Sequence, residues 1–244
     1  MRGNFSVLVV CTGNVCRSPL AEHLLKAHAD LADDVDVTSA GTHALAGWSM
    51  DNASRRLAQS YGAHDHAGHL ARQLTVADLD VADLALTMTR AQRRLLVEKN
   101  PRVTRRVFTL REFARLAEAT TDEDLAAELG AAGRSSDERL SGVIRAVAHS
   151  RGRVQPLADR SQQDIVDPFR KSEEAHRVSA RQIAAAVDRV AELFRRALEI
   201  SRGAGIRPVP ALPADTWVVA DQVALTGAED LGAEPEAGNA TQFA

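Results

Sequence analysis

Cysteine is scarce in this chain, with only Cys11 and Cys16 among 244 residues. Two thiols cannot staple a disulfide scaffold, and in a reducing compartment both remain available as thiols. No stretch approaches the roughly 18 consecutive apolar residues that a membrane span requires. The opening MRGNFSVLVVCTGN has one early Arg and a five-residue apolar run. That run is too short for a secretory leader and no small-residue cleavage site follows it. The expectation is a cytoplasmic protein with no membrane insertion. Charge of one sign is also lacking: 30 Lys and Arg against 33 Asp and Glu leave a net of −3, so no global field recruits nucleic acid or anionic lipid.

What the chain does have is 45% hydrophobic and 26% charged residues, the balance of a soluble globular protein with a sizeable core. At roughly 150 residues per domain, the length fits one enlarged domain or one with appendages. The charge is uneven. Residues 203–244 carry six acids and a single Arg, together with four of the eight prolines and five of the fifteen glycines. Such a segment cannot repay its ordering entropy, so an acidic, flexible tail is expected. TWVVADQVAL, around Trp217 to Leu225, is the one stretch there apolar enough to dock or form a short edge strand.

Upstream, short β-branched runs alternate with longer helical patterns, which predicts an α/β fold with a parallel sheet wrapped by helices. Strands are expected at Ser6–Val10, Val35–Ser39, Leu84–Met88 and Val107–Thr109. Helices are expected at Pro19–Ala32, Asn52–Tyr61, Arg90–Lys99, Leu110–Glu118 and Glu173–Ile200. In the last of these Ile183, Val187, Val190, Phe194 and Ala197 form one apolar stripe. Residues 130–166 are less regular and carry six arginines and four acids. They look like an insertion, either a lid or a decorated surface loop, with a helix from about Ser135 to Ala148.

The chemistry concentrates in CTGNVCRSP, Cys11 to Pro19, where an apolar strand hands over to a helix. An oxyanion such as phosphate needs convergent donors. A tight loop ending at a helix start supplies backbone N–H groups and the positive end of the dipole. Gly13 and Asn14 tolerate the left-handed conformations that would turn those amides inward. Ser18 then Pro19 read as N-cap and first helical residue, and Arg17 offers a planar fork for two phosphate oxygens. The same surroundings stabilise a thiolate at Cys11, making it a nucleophile aimed at phosphorus. The Walker arrangement is absent, since no Gly-Lys-Ser/Thr follows the loop.

This segment resembles the active-site loop of the low-molecular-weight protein tyrosine phosphatases. The likeness extends over about residues 5 to 200, excluding the insertion and the tail. It includes SAGT (Ser39 to Thr42), HLARQL (His69 to Leu74), DLALTMTR (Asp83 to Arg90) and VFTLREF (Val107 to Phe113). The resemblance implies a four-stranded parallel sheet flanked by helices on both faces, the phosphate-binding loop lying between the first strand and first helix. It implies a phosphatase domain at 1–202 and a tail at 203–244. It also implies Cys11 as nucleophile, Arg17 as phosphate clamp, and Thr12, Gly13, Asn14, Val15, Cys16 and Ser18 around the phosphate, with neither metal nor cofactor.

Asp167 in DPF (Asp167 to Phe169) is by the same likeness the general acid and base. A departing phenolate needs a proton, and a carboxyl on a loop can give it and then activate water. Phe169 stands where narrow-cleft members often carry Tyr; it can wall the cleft but brings no hydroxyl. Trp48 and Met50 resemble the family's variable cleft rim, and a rim Trp could stack on a substrate ring. In relatives the positions of Cys11 and Cys16 can join in a reversible disulfide; the alternative is that Cys16 is simply a small apolar loop residue. His64, His66 and His69 give only a weak metal pattern, and His69 falls in the family's His-x-x-x-Gln-Leu region, which favours a structural role.

Three activities use this scaffold. Arsenate reduction needs cysteines downstream of Cys16, and there are none. Protein arginine phosphatases carry Thr at the position of Val15, whereas the apolar, β-branched Val15 resembles the tyrosine-specific branch. The expected partner is a phosphotyrosine-containing protein. Phosphoarginine hydrolysis and a non-catalytic phosphate-binding module stand as the alternatives.

Overall fold

The computed structural model describes residues 4–64, 68–129 and 136–203. Four strands, β1 (Phe5–Cys11), β2 (Val35–Gly41), β3 (Leu84–Thr87) and β4 (Val107–Thr109), form one parallel sheet in the order β2-β1-β3-β4. β1 lies inside the sheet and is covered on both faces, which is why FSVLVVC reads as a nearly unbroken apolar run. Leu8 and Val10 face a cluster with Leu79, Leu96 and Val103. Phe5 meets the ring of Phe194 edge to face, with centroids 5.7 Å apart. Because β1 pairs with β2 on one side and β3 on the other, the chain's direction of progress reverses beside β1. Crevices at the carboxyl ends of parallel strands open at such a reversal.

The helices are α1 (Arg17–Lys26), α2 (Asn52–Ser60), α3 (Val76–Val81), α4 (Arg90–Lys99), α5 (Leu110–Glu118), α6 (Asp122–Leu129), α7 (Ser136–Ser150) and α8 (Glu173–Ser201). Strand β4 and helices α4 and α5 have the bounds read from the sequence. The first helix differs: it starts two residues early and stops at Lys26, and a 3-10 turn at Ala29–Leu31 follows. The short helices α3 and α6 are not evident in the sequence pattern. α3 shows Val76 and Val81 to solvent, which blurs any apolar stripe, and a Thr75/Asp78 capping box starts it. α6 carries only Leu125 and Leu129 as buried apolar residues, one turn apart. Buried Arg196 of α8 fixes its start by donating to Asp122 and to the Thr120 carbonyl.

α8 is capped by Ser172, and all five residues of its predicted stripe are buried. The expected insertion helix turns out to be neither lid nor surface decoration. In α7, Leu140, Val143, Ala146 and Val147 are fully buried, and the helix packs on α5, α6 and α8. Gly142 permits this, since a Cβ there would stand 2.9 Å from the Glu128 carbonyl oxygen of α6. Residues 130–135 of the insertion, the tail from 204 onward with Trp217 to Leu225, and His66 all lie outside the described residues. Among the described residues no helix is long and apolar enough to cross a membrane.

If α7 is part of the core, Leu140→Ala lowers unfolding free energy by about 2–5 kcal/mol in a denaturant titration. A loss below about 0.5 kcal/mol, the scale of surface substitutions, would return the helix to the status of a decoration.

Candidate active site

The loop after β1 is shaped by where its carbonyl groups go. The Cys11, Thr12 and Gly13 carbonyls accept from the Thr42, His43 and Leu45 amides at 2.9, 3.0 and 3.0 Å. The Val15 and Cys16 carbonyls accept from the Asp51 and Leu20 amides at 2.8 and 3.2 Å. The Asn14 carbonyl accepts from His69 Nε2 at 2.8 Å. With six successive carbonyls held outward, the amides are left for the opposite side. Among the described residues, the Thr12, Gly13, Val15 and Cys16 N–H groups donate to no protein acceptor. Successive inward amides of this kind form an anion-binding concavity. The close approach of the SAGT segment requires Gly41, where a Cβ would lie 2.5 Å from the Thr12 carbonyl oxygen.

Asn14 turns the loop. Its φ is 57°, a left-handed conformation that Asn tolerates better than most residues. Its backbone N–H points to Cys11 Sγ at 3.2 Å. The fully buried side chain donates to Ser18 Oγ at 3.0 Å and Ser39 Oγ at 2.8 Å, and its Oδ1 accepts from the Arg72 amide at 2.9 Å. Ser39 in turn donates to Glu22, which also pairs with Lys26, each at 2.6 Å. Two sequence expectations are corrected here. Gly13 does not have positive φ, so Asn14 alone supplies the left-handed turn. Ser18 is not the N-cap: the helix begins at Arg17 with Cys16 in the cap position. The Ser18 hydroxyl is instead 3.0 Å from Cys11 Sγ, occupied by the nucleophile candidate and by Asn14 rather than by a helix amide.

Arg17 is buried, and its Nη2 lies 2.7 Å from Asp167 Oδ2. The fold therefore brings together two residues 150 positions apart, the phosphate-clamp and acid candidates. Asp167 is half exposed and also accepts from the Phe169 amide at 3.2 Å. Arg170 has φ 57° and its guanidinium sits over the Phe169 ring at 5.2 Å.

Cys11, Thr12, Gly13, Val15, Cys16, Arg17, Asp167 and Phe169 line a cavity of about 220 Å³, together with His43 and Leu45, which sequence reasoning missed. Leu45 and Phe169 pack on Val15, Cys16 and Ala71 and make its apolar wall. Asn14 and Ser18 are buried behind the loop as its supports. Of the two residues expected at the rim, Trp48 is exposed, its amide donating to the carbonyl of the wall residue Leu45 at 3.0 Å, and does not line this cavity, while Met50 is buried. His69 spends its Nε2 on the loop, and among the described residues no group of three His, Cys, Asp or Glu side chains is arranged to hold a metal. A further support, Gln92, is legible as the last member of the Thr-x-x-Gln capping box of α4. Its Nε2 donates to Thr12 Oγ1 at 3.0 Å while its Oε1 accepts from the Met88 and Thr89 amides.

Both cysteines are free thiols. Burial, reinforced by the Asp51 carboxylate, pushes the Cys16 pKa up to about 12, so its reactive thiolate is suppressed at neutral pH. Iodoacetamide is accordingly expected to leave Cys16 unmodified in the folded protein through pH 9 and to label it once the protein is denatured. Mass spectrometry of the peptides checks this, and labelling of native Cys16 at pH 7 would contradict it.

The sequence matches the family model described as low molecular weight phosphotyrosine protein phosphatase over residues 6–126. EpsP of Ralstonia solanacearum, which bears that family's name, is 40% identical over 44% of this chain and 72% of its own. A protein-arginine-phosphatase of Geobacillus stearothermophilus is 31% identical over 64% of this chain and 93% of its own. The crystal structure of the low molecular weight protein tyrosine phosphatase from T. tengcongensis superposes with a TM-score of 0.54 at 26% identity, covering 78% of this chain and 99% of that one.

Proposed function

Because this chain belongs to the low molecular weight phosphotyrosine protein phosphatase family, we propose that it hydrolyses phosphotyrosine in protein substrates through a phosphocysteine intermediate. The observation that carries this reading is the meeting of Cys11, a loop of inward amides, Arg17 and Asp167 around one cavity. The loop amides bind the non-bridging phosphate oxygens, joined by the Arg17 fork. Arrival of the phosphate gives Arg17 a second anionic partner, which loosens its hold on the Asp167 carboxyl.

The reaction has two displacements. Cys11 Sγ forms a bond to phosphorus as the phosphorus–phenolic oxygen bond breaks, and Asp167 delivers its proton to the departing oxygen. Water then attacks the phosphocysteine, giving a proton to Asp167 as the P–S bond breaks and inorganic phosphate leaves. Ser18, 3.0 Å from the sulfur, steadies the thiolate as it is released. Val15, Leu45 and Phe169 offer an apolar wall to the aromatic ring of phosphotyrosine. Hydrolysis would take place in the cytoplasm, where the two thiols stay reduced.

A second reading, phosphoarginine hydrolysis, is favoured by the arginine-phosphatase relative matched over nearly its full length. Val15 argues against it, since an apolar side chain leaves a guanidino group's N–H donors without a hydroxyl partner. With phosphotyrosine and phosphoarginine peptides of matched sequence, kcat/KM is expected to be higher for phosphotyrosine; the opposite order would install the second reading. With an aryl phosphate, Cys11→Ser abolishes turnover and Asp167→Ala lowers kcat by roughly 100- to 10,000-fold. Wild-type turnover no faster than that of Cys11→Ser would leave a phosphate-binding module instead of an enzyme.

A further inference from the structure

The segment carrying Asp167 is fastened to the rest of the molecule three residues upstream, at the start of α4. Asp164 Oδ1 accepts from the Arg90 backbone amide at 2.7 Å. The Arg90 Nε reaches both carboxylate oxygens at 3.2 Å, and its Nη2 reaches Oδ2 at 3.0 Å. This is a two-pronged clasp, the arrangement in which Arg confers orientation as well as attraction. The hydrogen bonds to Asp164 also raise the Arg90 pKa above its ordinary value.

Each residue between the clasp and Asp167 is then held in turn. The Ile165 amide donates to the Met88 carbonyl at 2.8 Å, and the Ile165 carbonyl accepts from Arg17 Nη1 at 3.5 Å. The Val166 amide donates to Gln182 Oε1 of α8 at 3.0 Å. The same first turn of α4 that grips Asp164 also grips the anion loop, through Gln92 and Thr12. One helix start is thus the common mount of the nucleophile loop and the acid segment. The distance between Cys11 and Asp167 is set there as well as by the direct Arg17–Asp167 contact.

We infer that Arg90 and Asp164 are positioning residues that fix Asp167 for proton transfer to the leaving group. The inference rests on the catalytic reading above and adds the device that aims the acid. Neither residue touches the cavity, so their effect passes through Asp167, and it should scale with how much the reaction needs an acid. A phenol that leaves readily as its anion needs little help, whereas phenol itself or tyrosine needs a proton in the transition state.

The test compares wild type, Arg90→Lys, Arg90→Gln and Asp164→Asn on aryl phosphates graded by the acidity of the departing phenol. For phenyl phosphate and a phosphotyrosine peptide, kcat/KM, which reports the first displacement, should fall roughly 10- to 100-fold in Arg90→Gln and Asp164→Asn, the cost of a misplaced catalytic group. For a dinitrophenyl phosphate the loss in kcat/KM should stay within about threefold, because formation of the phosphocysteine needs little acid there. Arg90→Lys, which keeps the charge and loses the fork, should fall between wild type and Arg90→Gln. In an Asp167→Ala background, Arg90→Gln should cost nothing further.

An equal loss of kcat/KM across all leaving groups, or a full further loss in the Asp167→Ala background, would overturn the positioning role and leave the catalytic reading standing. Arg90→Lys provides this comparison even if Arg90→Gln folds poorly. Wild-type turnover that does not depend on Cys11 would remove both.

Discussion

The site depends on one buried side chain in an unfavourable backbone conformation. Asn14 occupies the left-handed region, which costs an L-residue about 1–2 kcal/mol, and five hydrogen bonds hold it there. They run to the Cys11 sulfur, to two serines on different elements, to a backbone amide and to a histidine. Turning this one peptide reverses the loop, so that carbonyls face the protein and amides face the cavity. An aspartate of the same shape would lack the two donors that Ser18 and Ser39 accept, and an alanine would leave both hydroxyls and the Arg72 amide short of a partner. The concavity therefore exists before any phosphate arrives, and preorganised donors of this kind avoid reorganisation at the moment of reaction.

From that point outward the fold behaves as a set of mounts around the carboxyl ends of β1, β2 and β3. β2 delivers Gly41 against the loop and Ser39 to Asn14. The turn after β3 begins α4, whose first residues hold Thr12 on one side and Asp164 on the other. α8 holds Val166 and, through Phe194 and Phe5, the core beneath the nucleophile strand. Arg17 joins the two halves by pairing with Asp167. The chemistry proposed for Cys11 and Asp167 thus draws on residues from nearly every part of the described chain, which is why the two candidates meet despite their separation in sequence.

Much of this is readable from the chain before folding is considered. The central strands announce themselves as apolar runs, α8 by its stripe, and the loop by Cys-x5-Arg at a strand-to-helix junction. What escapes is decided by tertiary contact. Gly13 and Asn14 both tolerate a left-handed backbone, and only the partners around Asn14 choose between them. Ser18 followed by Pro19 has the local signature of a helix start, yet the hydroxyl is drawn to the Cys11 sulfur and the helix begins earlier. Trp48 is an attractive rim residue by type, while the wall is made by Leu45, whose backbone amide is tied to Gly13. The insertion helix α7 reads as part of a lid or a decorated surface loop because its Arg-rich surroundings hide Leu140, Val143 and Val147, whose burial depends on α5, α6 and α8 being in place.

The central claim is that Cys11 takes the phosphoryl group during turnover. Asp167→Ala with an aryl phosphate of acidic phenol is the condition in which that species should accumulate, since its formation needs little acid and its hydrolysis has lost its base. The direct measurement is phosphorus NMR of the protein after rapid denaturation at neutral pH. The account predicts one protein-bound phosphorus signal, that of a cysteine thiophosphate, absent when Cys11 is replaced by Ser. Turnover with no protein-bound phosphorus, or phosphorus carried on any other residue, would contradict it.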